Sequence, residues 1–126
     1  MGNIEEACMW YEKALERGVG LENKTLSNFA NVLDWDYVFS QENKPSYTTV
    51  KSACNLSVCY EKLGERQAAL DILNGLKLKL LRNRSLKAEY SVFLEGLSNN
   101  LGVVQRRSGQ VKLSEDSFKL AISLQN

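Results

Sequence analysis

Histidine is absent from the chain, and proline occurs once, at Pro45. Without histidine there is no Ser-His-Asp triad, no Cys-His dyad and no imidazole metal ligand. One proline, with 19 leucines against 12 valines and isoleucines, favours helix over sheet. Cysteine is scarce as well. Cys8, Cys54 and Cys59 are an odd set without the density of a secreted disulfide scaffold. Cys54 and Cys59 lie five apart rather than in a C-x-x-C pair, so no zinc knuckle or thioredoxin-type motif is present, and all three are expected as buried small apolar residues. Long apolar runs are missing too: the longest uncharged stretch is ten residues, 96–105, against the ~20 of a membrane span. The first six residues are acidic where a secretory signal would be basic and then apolar. The expected compartment is the cytosol, or the nucleus, with no membrane partner.

The 126 residues that are present suit one domain, with 16 basic and 15 acidic side chains. The 3.6-residue period predicts an all-α chain of about six helices, over residues 4–17, 24–40, 48–63, 66–81, 86–107 and 111–124. The first carries the stripe Ile4, Ala7, Cys8, Tyr11, Ala14, Leu15, with Asn3 and Glu6 placed as a capping box. Ser85 is the expected N-cap of the fifth. Helix, glycine, helix recurs at Gly64 and Gly109, and connections that short predict antiparallel hairpins. Such a pair cannot bury both of its faces alone, so neighbouring pairs are expected to stack.

Reading outward from each glycine exposes a repeat. Ala7, Ala69 and Ser114 lie five after Gly2, Gly64 and Gly109; Tyr11, Leu73 and Phe118 lie nine after; Ala14, Leu76 and Ala121 lie twelve after. Asn55-Leu56-Ser57 and Asn100-Leu101-Gly102 sit at one offset before Gly64 and Gly109. The pattern resembles the tetratricopeptide repeat (TPR) family, and residues 7–15 are also similar to its Sel1-type subgroup. Small residues at Gly102, Ala69 and Ser114 would let helices approach, while Tyr60, Phe118 and Tyr11 would fill gaps between stacked pairs. The resemblance implies a right-handed helical-hairpin solenoid in one domain: a partial repeat at 2–17, an extra helix at 24–40, a repeat at 48–81, and a repeat at 86–126 with an elongated first helix. The family's closing proline is replaced by Val19, Leu81 and Asn126, and Gly64 and Gly109 are 45 residues apart, against about 34 for the family.

No catalytic constellation or phosphate-cradling glycine loop is present, and neither an enzyme nor a cofactor is expected. By the resemblance, function belongs to a concave face made by the first helix of each repeat. The candidates there are Lys51, Asn55, Val58 and Lys62, then Asn99, Val103 and Arg106. Lys51, Asn55, Val58 and Lys62 share one helix face; either they are simply exposed, or their amides and cations hold an extended peptide or partner helix. Gly96 and Asn100 stand where the chaperone-binding members carry bases, so their carboxylate clamp is not expected. Charge is uneven, −4 over residues 1–47 and +5 over 48–126. Lys77, Lys79, Arg82, Arg84 and Lys87 follow one another without an acid. They are either solvated capping bases or, as the alternative function, a nucleic-acid or regulatory surface. The open first and last helices are expected to support self-association.

Overall fold

The computed structural model describes residues 2–19, Trp35, Phe39 and 45–125. Among them all regular structure is helical: α1 (Gly2–Val19), α2 (Tyr47–Lys62), α3 (Arg66–Arg82), α4 (Arg84–Glu89), α5 (Ser91–Arg107) and α6 (Val111–Ser123). No helix among the described residues is long and apolar enough to cross a membrane. The chain divides into two compact units, Met1–Ile72 and Leu73–Asn126, with the boundary inside α3. The helix expected at 24–40 lies outside the described residues except for Trp35 and Phe39. Both are helical and buried, with ring centroids 5.9 Å apart.

Local chemistry explains most helix ends. Ser46 caps α2 in an extended conformation, its Oγ accepting the Thr49 N–H at 3.1 Å. At the other end Gly64 takes φ +84°, the Gly64 N–H bonds Glu61 O, and the Glu65 N–H reaches back to Tyr60 O at 2.7 Å. Those two bonds define a Schellman turn. The same turn recurs 45 residues later: Gly109 at φ +81°, its N–H on Arg106 O, and the Gln110 N–H on Gln105 O at 2.8 Å. In each case the residue after the glycine immediately precedes the next helix, its carbonyl accepting from Ala69 or Ser114.

The helix expected over residues 86–107 is instead two, α4 and α5, meeting at Tyr90. Tyr90 leaves helical geometry (φ −107°, ψ 20°), and the Phe93 N–H bonds its carbonyl at i−3 spacing. The Tyr90 side chain is fully buried. Burying a large aromatic is worth about 2–3 kcal/mol, more than the ~1 kcal/mol of a helical hydrogen bond. The cap of α4 is Asn83 rather than Ser85: the extended Asn83 accepts the Leu86 N–H on Oδ1 at 3.1 Å. Likewise α1 begins at Gly2, which puts Asn3 inside the helix rather than at its cap.

In the first unit α1 packs on α2. Its core includes Cys8, Leu15, Val50, Ala53, Leu56 and Tyr60. In the second, α5 packs on α6 as an antiparallel hairpin around Gly109. Gly102 sets their approach: a Cβ there would stand 2.7 Å from Phe118 Cε1, inside van der Waals contact. Ser117 Oγ donates to Gln105 Oε1 at 2.6 Å between the same helices, a buried polar pair that satisfies both side chains.

Candidate functional site

The first unit carries a groove of about 290 Å³ between α1 and α2. From α1 it is lined by Asn3, Ile4, Ala7 and Tyr11; from α2 by Asn55, Val58, Cys59 and Lys62. Three of the residues singled out from the sequence, Asn55, Val58 and Lys62, therefore come together on its α2 wall. The i, i+3, i+7 spacing of a single helix face produces that alignment. Lys51 is exposed and does not line the groove.

The groove lining is part apolar and part polar. Ile4, Ala7, Val58 and Cys59 supply apolar surface, while Asn3, Asn55, Tyr11 and Lys62 bring amide, phenol and ammonium groups. Lys62 is exposed and carries the only formal charge among the lining side chains, so the lining is electropositive. Its ammonium opposes the effect of burial on Cys59, whose thiol is nonetheless pushed above its ordinary range.

The two helices that wall the groove, α1 and α2, are pinned by a buried hydrogen bond. The Tyr60 hydroxyl donates to Glu12 Oε2 at 2.5 Å, and both side chains are buried. Burial, then this bond and the charge of Glu12, hold the Tyr60 phenol well above its usual 10.0. Cys8 is also buried, and its thiol is pushed up to about 12 by burial and then by Glu12. Cys54, half-buried on α2, is pushed up to about 12 by burial alone. All three cysteines are free thiols. Kept protonated, they are poor nucleophiles at neutral pH. No three Cys, Asp or Glu side chains converge to hold a metal among the described residues.

The second unit has its own groove of about 340 Å³, lined by Glu95, Gly96 and Asn99 of α5 and by Phe118, Ala121, Ile122 and Gln125 from α6 and just beyond. Asn99 lines it. Val103 is half-buried and Arg106 exposed on α5, and neither reaches the groove. The seven sequence candidates thus fall into two sets, four in one unit and three in the other.

The sequence missed the α1 wall. Asn3 and Ile4 were read as helix start and stripe, and Tyr11 as a gap filler, because periodicity shows that a face is apolar but not which helix it meets. The Tyr60–Glu12 bond, 48 residues apart in sequence, has no local signal at all. Comparison of the chain with models of known protein families, with curated proteins and with solved structures finds no match.

Proposed function

We propose that the chain is a TPR-like protein-interaction module that holds an extended peptide of a partner protein in the α1–α2 groove and performs no catalysis. The observation that carries this reading is the convergence of Asn55, Val58 and Lys62 on one groove wall, opposite the apolar residues Ile4 and Ala7 of α1. The apolar part of the lining takes an anchor side chain, the Asn3 and Asn55 amides bond a peptide backbone, and Lys62 attracts a carboxylate. The volume lies just below the roughly 300–1,000 Å³ typical of small-molecule sites, which suits an anchor side chain more than a cofactor. Thiols held protonated, in a chain without histidine, support a binding role over a chemical one.

The two Schellman turns 45 residues apart support reading the hairpins as repeats of a right-handed solenoid. In the same reading the chain self-associates through α1 and α6, which expose Met9 and Trp10, and Val111, Leu113 and Ile122. Selection of the full chain against a random peptide library tests the function. The expected outcome is a family of peptides with an apolar residue beside an acidic one, lost with Val58→Asp and weakened with Lys62→Glu. Enrichment of no sequence, or of peptides indifferent to both changes, contradicts it.

A further inference from the structure

The corner where α3 gives way to α4, within the second unit, carries a charge pattern that the groove does not use. Between Lys77 and Lys87 there are five bases and no acid. Arg82, Arg84 and Lys87 are exposed and Lys77 is half-buried. None of these four makes an ion pair among the described residues, whereas Lys79 has a partner.

Helix electrostatics account for part of the pattern only. Lys79 and Arg82 sit in the last turn of α3 and Lys87 in the last turn of α4, where the helix dipole favours a cation. Arg84 is the opposite case. It is the first residue of α4, at the positive end of the dipole, in a first turn that has no acid. A cation there opposes the dipole, so local folding gives no reason for it. Three of the bases are also compactly placed. Asn83 alone separates Arg82 from Arg84, and Arg84 and Lys87 share a face at i, i+3, whereas Lys77, five residues before Arg82, lies about 140° from it around α3.

We propose that this α3–α4 corner is a docking surface for the phosphodiester backbone of duplex nucleic acid. Two guanidinium forks, one on each helix, match phosphate oxygens, and Lys87 adds a point charge beside them. No aromatic residue lies between 77 and 87, and Tyr90 just beyond is fully buried, so there is no ring on which an unpaired base stacks. The surface therefore reads charge and spacing rather than sequence. Leu78 is the only large apolar side chain exposed in this stretch, while Leu80 and Leu86 are buried. A bilayer surface calls for a broader apolar face than that.

The test is fluorescence anisotropy of the full chain with a labelled mixed-sequence duplex, as RNA and as DNA. Three phosphate contacts give a log–log salt slope of roughly −3, which is about a fiftyfold loss of affinity between about 50 and 200 mM salt. Arg84→Gln is expected to weaken binding to every sequence alike and to reduce the slope by about one, and Lys87→Gln to do the same. Lys119→Gln, an exposed cation on α6 outside the corner, is expected to change neither. Circular dichroism confirms that each variant keeps its helix content. No binding at about 25 mM salt, binding indifferent to both corner variants, or capture by phosphatidylserine vesicles with none by duplexes would each overturn the proposal.

Discussion

The Tyr60 hydroxyl donates a 2.5 Å hydrogen bond to the buried Glu12 carboxylate, joining α2 to α1. Glu12 makes no salt bridge among the described residues, and the phenol is the hydrogen-bond donor to its Oε2. Removing the donor leaves a charged acceptor buried and unpaired. Tyr60→Phe is therefore expected to cost about 1.5–3 kcal/mol in urea unfolding. Glu12→Gln in the Tyr60→Phe background should cost less than it does alone, because the pair acts as a unit.

Alkaline pH should weaken the fold through the same region. Tyr60 is held above 10.0, and Cys8 and Cys54 are raised from 9.0 to about 12. A proton that the folded chain holds more tightly than the unfolded chain stabilises the fold below the unfolded pKa. That contribution is lost as pH rises through the folded value. Melting temperature is accordingly expected to be level near neutrality, to fall from about pH 9, and to keep falling towards pH 12. Cys54→Ala should flatten the decline. A melting temperature that rises over this interval contradicts the assignment.

The same thiols should be slow to alkylate. At pH 8 a thiol near 12 has about a thousandfold less thiolate than one near 9. Iodoacetamide labelling followed by mass spectrometry is expected to leave Cys8 and Cys54 unmodified under conditions that label an unfolded control within minutes.

Four glycines separate two physical roles. Gly64 and Gly109 have open space around a notional Cβ but positive φ, so alanine at either should cost about 1–2 kcal/mol through backbone strain alone. Gly102 has helical φ but no room: alanine there meets Phe118 and should cost about 1–3 kcal/mol. Phe118→Leu should relieve part of that cost. Gly96 has neither constraint, so Gly96→Ala is expected to stabilise α5 by up to about 1 kcal/mol. Denaturant midpoints of the four variants distinguish the roles.

The helix-ending turns at Gly64 and Gly109 were legible in the sequence because a turn that needs φ > 0 writes a glycine at a fixed place. The tight approach at Gly102 was legible for a related reason: a glycine inside a helix is costly without a packing role. The break at Tyr90 was not. Leu86, Tyr90 and Leu94 keep helical spacing across it, no glycine or proline marks it, and burial of one ring decides it. In the groove, Asn55, Val58 and Lys62 were named from the family resemblance, and they share one helix face, whereas Lys51 from the same set stays outside. The α1 wall depended on which helices pack together, a long-range outcome that local patterns do not encode.

The most direct measurement of the central claim is a ¹⁵N–¹H NMR titration of the full chain with a peptide selected by it. The account predicts saturable shift changes at Ile4, Ala7, Tyr11, Asn55, Val58 and Lys62, the residues of the α1–α2 groove, and their loss in Val58→Asp. Changes confined to α5 and α6, or no saturable change at any of these six amides, would contradict it.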